Sequence, residues 1–116
     1  MKRLGAERDS LTVVNDQVGV PTFAGDLAEV CLLAIEKYSD LSKGIYHFQN
    51  QSPCTWFDFA TEIMKHHQLE CVVQPVSSDQ FPTKAKRPSY SVLDCSKIAK
   101  ELDLHIRSWK ETLNAL

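Results

Sequence analysis

Short β-branched or aromatic runs alternate with stretches of helical period along this chain, and that alternation constrains its fold more than any other feature. Leu11-Thr12-Val13-Val14, Ile45-Tyr46-His47-Phe48 and Val72-Val73-Gln74-Pro75-Val76 read as strands. The last is demoted toward a sheet edge, because Pro75 cannot donate to a ladder. Asp26 is placed to cap a helix whose apolar positions Leu27, Val30, Cys31, Ala34, Ile35 and Tyr38 recur every three or four residues. Thr55 and Asp58 have capping-box spacing and open a helix carrying Trp56, Phe59, Ala60, Ile63 and Met64. The spacing of Trp56, Phe59 and Ile63 predicts one buried face. Asp94 is expected to cap a helix with Ile98 and Leu102, and Ser108 with Glu111 opens a last one with Trp109, Leu113 and Leu116 on one face. Residues 1–10 look like the polar tail of a helix, while 15–22 and 77–90 hold turn formers and no period. Strands interleaved with helices predict an α/β structure in which helices cover a small sheet.

At 116 residues the chain is expected to form one small domain spanning 1–116. Ordinary apolar content, 43%, and a net charge of only −2 argue against disorder. No run approaches the roughly 18 consecutive apolar residues of a membrane helix. The first eight residues hold charges and no apolar h-region, so a secretory signal is not expected and the default location is cytoplasmic. Cys31, Cys54, Cys71 and Cys95 include no C-x-x-C pair. Reduced, mostly buried thiols are the better reading than two disulfides.

Several chemistries lack their residues. Gly5, Gly19, Gly25 and Gly44 fit neither G-x-G-x-x-G nor a P-loop, so no dinucleotide site is encoded. No tyrosine is followed four residues later by lysine, as the reductase Y-x-x-x-K pair requires, and no G-x-S-x-G elbow exists. His66-His67 has only Glu62 nearby as a ligand type and reads as a solvated helix end, and His47 as a packed ring in a strand. Taken alone, the chain has no recognisable catalytic centre.

What remains is charge and a polar connection. Residues 81–100 carry Lys84, Lys86, Arg87, Lys97 and Lys100 against one acid, Asp94, in a chain that is negative overall. Such a reversal is either an anion site or a solubilising loop whose arginine pairs with a surface carboxylate. Arg87 stands out because a guanidinium can bind two phosphate oxygens in one plane. Nucleic acid is a poorer partner, given a pI near 6.0 and no aromatic interleaving of the basic stretch. Asp16-Gln17-Val18-Gly19-Val20-Pro21-Thr22 offers amide, carboxylate and hydroxyl groups, with Gly19 where a ligand or another backbone could come close. On pattern alone an ordinary polar strand-to-helix connection is the better reading.

Together these segments resemble the C-terminal part of the dTDP-4-dehydrorhamnose reductase family, of the extended short-chain dehydrogenase/reductase type. Val13-Val14-Asn15-Asp16-Gln17-Val18-Gly19-Val20-Pro21-Thr22 is similar to V-V-x-D-Q-x-G-x-P-T, and Asp26-Leu27-Ala28 to the D-L-A that follows. Gly44-Ile45-Tyr46-His47 resembles G-x-Y-H, and Thr55-Trp56-Phe57-Asp58-Phe59-Ala60 resembles [ST]-W-x-x-F-A. Residues 81–94 resemble Y-P-T-x-A-x-R-P-x-x-S-x-L-[DN], and Trp109 with Leu113 fits W-x-x-x-L. The resemblance implies the substrate domain of an enzyme that reduces the 4-keto group of dTDP-4-dehydro-L-rhamnose, making dTDP-L-rhamnose for cell-envelope polysaccharide. It implies NADPH or NADH, held by an N-terminal Rossmann domain that also carries the tyrosine–lysine pair and whose motifs precede the point where this sequence begins. The chain alone is therefore expected to be inactive, its partners being that domain, the dTDP-sugar and, in a homodimer, a second copy. Arg87 would contact the diphosphate or nucleotide, and Gln17, Gly19, Pro21 and Thr22 would wall the site facing the sugar. Some relatives bind Mg2+ near a dimer contact, for which Asp16 is the candidate ligand. The alternative class is a non-catalytic, reductase-like regulatory or nucleotide-sugar-binding subunit.

Overall fold

The computed structural model describes residues 1–81 and 83–115, so the expected place of Leu116 on the last helix lies outside the described residues, as does Pro82. In chain order the elements are α1 (Lys2–Glu7), β1 (Ser10–Val14), β2 (Val18–Gly19), α2 (Ala24–Glu36), β3 (Cys54–Thr55), α3 (Trp56–His66), β4 (Val72–Val76), a 3-10 turn (Ser78–Gln80), α4 (Ser96–Leu102) and α5 (Trp109–Asn114). The architecture is mixed α/β, as the alternation predicts. It divides into two compact units, Met1–Gly19 with Pro53–Val92 and Val20–Ser52 with Leu93–Ala115.

In the first unit β1 and β4 pair in parallel, from Ser10 opposite Val72 to Val14 opposite Val76. Pro75 stands opposite Val13 in this two-stranded sheet, where every strand is an edge and a missing donor is tolerated. Helix α3 packs on both strands, and α1 packs on α3 and β1. Leu11, Ala60, Ile63, Met64 and Cys71 are buried. A Cβ at Gly5 would lie 2.4 Å from Met64 Sδ, so glycine there lets α1 approach α3 closely. The Thr55–Asp58 box forms as its spacing predicts: Asp58 N donates to Thr55 Oγ1 at 3.1 Å, and Thr55 N donates to Asp58 Oδ2 at 2.9 Å.

Two expectations for this unit are corrected. Trp56 is 51% exposed and Phe59 only half-buried. The buried part of α3 begins at Ala60, so the apolar stripe runs one turn past the end of the core. The segment 15–22, expected to be irregular, contains β2, which pairs antiparallel with β3 through Val18–Thr55 and Gly19–Cys54. Its other edge takes the end of the basic segment: Val18 N donates to Ser89 O at 2.8 Å, and Ser91 N donates to Val18 O at 2.9 Å. A two-residue strand is too short to leave a periodic trace.

In the second unit Val30, Ile98 and Leu102 are buried together, with Leu33, Ala34, Leu41 and Phe48 packed against them. Helix α5 buries Trp109, Thr112 and Leu113, and Trp109 Nε1 donates to Ser52 O at 2.7 Å. The Ser108–Glu111 box forms with Glu111 N to Ser108 Oγ at 3.2 Å and Ser108 N to Glu111 Oε2 at 2.7 Å. The cap of α4 is Cys95 rather than the expected Asp94, which lies one residue before it and accepts from Ser96 N at 2.8 Å.

The expected strand Ile45–Phe48 does not form; these residues have no ladder partner among the described residues. Tyr46 is held by side-chain contacts instead. Its hydroxyl lies within hydrogen-bond reach of both Glu101 Oε2 and Ser42 O, donating its one proton to one of them at a time, and Lys97 Nζ sits 4.0 Å from the ring centroid. Ser42 Oγ and the Tyr46 hydroxyl, joined by the Ser42 backbone N–H, hold the Glu101 carboxyl down at about 2. His47 is exposed rather than packed.

Helix α2 also departs from expectation. It starts before Asp26, which caps nothing and is buried in the first turn. Asp26 Oδ2 accepts from Asn50 Nδ2 at 2.5 Å and from Thr112 Oγ1 at 3.3 Å, and Oδ1 pairs with the Arg107 guanidinium. Asn50, 1% exposed, also accepts from Phe23 N at 2.8 Å and donates to Arg107 O at 3.1 Å. Burial pushes the Asp26 carboxyl up, but Asn50, Arg107 and Thr112 outweigh it and hold it below its usual value. This polar cluster sets the helix rotation: Asp26, Val30, Leu33 and Ala34 face inward, while Leu27, Cys31, Ile35 and Tyr38 of the expected stripe face solvent. The helix is apolar on more than one face, so periodicity admits both settings. Consequently only Cys71 of the four thiols is buried; Cys31 is exposed, Cys54 and Cys95 are half-buried, and none forms a disulfide.

Candidate functional site

The first unit contains a cavity of about 870 Å3, within the range of small-molecule sites. Strand β1 lines it along Ser10–Val14, Gln17 and Val18 continue that wall, and Phe81, Thr83, Arg87, Pro88 and Ser91 form another. Met1, Leu4, Arg8 and Trp56 complete the lining. Each wall is anchored by backbone. Strand β1 is fixed by its ladder to β4, and the Arg87–Pro88 wall by the bonds of Ser89 and Ser91 to Val18. Pro88 restricts Arg87 toward extended backbone, so the guanidinium stem leaves a stretch with little freedom two residues from that anchor.

Charge in the cavity has one sign. Arg8 and Arg87 line it, and no Asp or Glu does among the described residues. Among the described residues neither arginine has an ion pair, whereas Arg3 meets Glu7 at 3.3 Å. Gln17 is held rather than loose: its Nε2 donates to Ser78 Oγ at 2.8 Å, which leaves Oε1 as an acceptor. Ser78 in turn donates through Oγ to Asp16 Oδ1 at 2.5 Å and through its backbone N–H to Oδ2 at 2.9 Å. Those two bonds, the side-chain one foremost, hold the Asp16 carboxyl below its usual value.

Of the five residues expected to bind substrate, the cavity brings together Gln17 and Arg87. Gly19 is not in its lining; the close neighbour there is Ser91, whose Oγ would lie 3.0 Å from a Cβ at that position. Pro21 and Thr22 belong to the second unit, where Thr22 Oγ1 reaches Val20 O at 3.4 Å. The basic run also divides: Lys84, Lys86 and Arg87 belong to the first unit, while Lys97 and Lys100 lie on α4 of the second. His66 and His67 are half-buried, their rings edge to face at 4.8 Å. Sequence reasoning missed Arg8, Trp56 and Phe81 as lining residues. A signal existed for Arg8: unlike Arg3, it has no carboxylate three or four positions away.

The residues do not fit a dinucleotide. A pyrophosphate cradle needs glycines where a strand turns into a helix, but β1 runs into Asn15-Asp16-Gln17 and β3 passes directly into α3 through the Thr55 box. Asp16, the candidate magnesium ligand, accepts from Ser78 at each of its carboxylate oxygens. Among the described residues no three His, Cys, Asp or Glu side chains gather into a metal site, and no helix is long and apolar enough to cross a membrane.

The family model described as the RmlD substrate binding domain matches residues 1–116. The spore coat polysaccharide biosynthesis protein SpsK of Bacillus subtilis is 39% identical over 113 residues, covering 97% of this chain and 38% of that protein. The dTDP-4-dehydrorhamnose reductase of Aggregatibacter actinomycetemcomitans is 38% identical over 122 residues, covering 97% of this chain and 42% of its own. A crystal structure of dTDP-4-dehydrorhamnose reductase from Bacillus anthracis, in complex with NADP, superposes with a TM-score of 0.91 at 35% identity, over 98% of this chain and 40% of that one. The chain thus spans about two-fifths of the length of these relatives. With the family model matched from end to end, the chain belongs to the RmlD substrate-binding domain family.

Proposed function

We propose that this chain is the substrate-binding part of a dTDP-4-dehydrorhamnose reductase, serving the synthesis of dTDP-L-rhamnose for surface polysaccharide in the cytoplasm. The observation that supports the reading is the cavity lined by two arginines that have no ion pair, and by no carboxylate, among the described residues, in a chain that matches this family along its whole length. A dTDP-sugar presents a diphosphate, and the planar five-donor guanidinium of Arg87 matches two of its oxygens. Arg8 supplies a second cation, and Gln17 Oε1 an acceptor for a hydroxyl. The chain's own residues bind and orient; the described residues lining the cavity include no acid–base pair. On this reading hydride transfer from NADPH falls to a Rossmann-type partner domain; one of the longer relatives was solved with NADP.

The test is dTDP affinity, by calorimetry, for Arg87→Ala, Arg87→Lys and Lys84→Ala at low and moderate salt. Losing a partly desolvated charge-assisted bond costs about 1.5–3 kcal/mol, so Arg87→Ala weakens dTDP binding about ten- to a hundredfold. Arg87→Lys recovers only part of this, and Lys84→Ala loses mainly salt-dependent attraction. A folded Arg87→Ala protein that binds dTDP within twofold of the parent refutes the reading.

A further inference from the structure

We propose that Trp56 is the platform on which the nucleobase stacks, a specificity role that deepens the dTDP-sugar reading and rests on it. Helix α3 buries Ala60, Ile63 and Met64, and Trp56 stands on the same face, four and seven residues before the first two. The stripe continues beyond the core and ends in the cavity, which leaves the indole 51% exposed. An aromatic surface of that size half in water is available for a flat partner.

Its position is built rather than incidental. Trp56 is the first helical residue after a closed capping box, and the preceding Thr55 is fixed twice more: in register with Val18, and through Thr55 Oγ1 to Asn15 Oδ1 at 2.9 Å. Phe81, 46% exposed, lines the same cavity. Aromatic surface combined with two arginines and no acid fits a ligand that is planar and apolar at one end and anionic at the other. A nucleoside diphosphate has that chemistry; free phosphate would leave the indole idle.

The experiment compares dTDP and inorganic pyrophosphate as ligands for the parent, Trp56→Phe, Trp56→Leu and Arg87→Ala, with circular dichroism to confirm folding. Base–aromatic stacking predicts that Trp56→Leu weakens dTDP binding about ten- to a hundredfold while pyrophosphate binding stays within about twofold. Trp56→Phe, which keeps a ring, retains most dTDP affinity. Tryptophan emission of the parent changes on dTDP addition, and the change disappears in Trp56→Phe, because Trp109 is buried in the other unit. Arg87-dependent dTDP binding that ignores Trp56→Leu overturns the stacking role and leaves the reductase reading standing. Equal loss of dTDP and pyrophosphate in Trp56→Leu assigns Trp56 a structural role and overturns it as well. Binding of dTDP that ignores Arg87→Ala instead overturns the phosphate reading beneath it.

Discussion

Replacing Asn50 by Asp changes one NH2 group into an oxygen and leaves the shape almost intact, yet it inverts the pH response of the second unit. In the parent, Asn50 Nδ2 lies 2.5 Å from Asp26 Oδ2, and both residues are buried. Two carboxylates at that separation cannot both ionise, and the Arg107 charge already balances Asp26. One proton is therefore retained on the pair. Holding it at pH 7 on a group whose unfolded pKa is about 3.9 costs about 4 kcal/mol, at about 1.4 kcal/mol per pH unit. That pKa is raised on folding, so the penalty is full at neutral pH and shrinks as pH falls toward about 4. The parent behaves oppositely: the Asp26 pKa is lowered from 3.8, so its contribution is intact above that value and is lost as pH falls through the folded pKa. The assay is urea unfolding followed by circular dichroism at pH 5, 6, 7 and 8, read as variant minus parent so that other titrating groups cancel. With a slope of about 1–3 kcal/mol per molar, the midpoint at pH 7 drops by about 1.5–4 M and recovers most of the loss by pH 5. A pH 7 midpoint within about 0.3 M of the parent, or no recovery on acidification, would refute the buried-cluster account.

Two further outcomes follow from packing. Trp109→Ala, at a side chain only 3% exposed that also donates to Ser52 O, should cost about 3–5 kcal/mol, measured by the same urea titration at pH 7. Gly5→Val places its branched side chain against Met64, itself 4% exposed, and should cost about 1–3 kcal/mol by overpacking; an unchanged midpoint would mean that α1 does not rest on α3.

Local chemistry made much of this fold readable. The two capping boxes form where Thr55–Asp58 and Ser108–Glu111 predict them, because each needs only four residues to satisfy its own donors. Strands Ser10–Val14 and Val72–Val76 followed from β-branched runs. What sequence could not show was long-range. Which face of α2 turns inward depends on Asp26 meeting Asn50, Arg107 and Thr112, all far along the chain. Trp56 has core spacing, but spacing does not reveal where a core ends. At the site, Gln17 and Arg87 stood out through two separate motifs, whereas Arg8 showed only its lack of a carboxylate three or four positions away, and nothing about Phe81 in its motif marked it as lining a cavity.

The chain passes from one compact unit to the other after Gly19, returns after Ser52 and crosses again after Val92. That threading dictates an order of assembly. Strand β1 is made early but has no parallel partner until Val76 has been synthesised, and α2 holds Val30 uncovered until Ile98 and Leu102 arrive. Closing such long loops delays folding far more than it reduces final stability. The contiguous run from β3 through α3 to β4 is the piece able to organise first, since α3 packs on both of its neighbours in sequence. Neither unit can be isolated by terminal truncation, because a cut that removes all of one also removes a segment of the other. Separating the cavity-bearing unit from its companion takes an internal splice, with Gly19 rejoined to Pro53 and the chain ended after Val92.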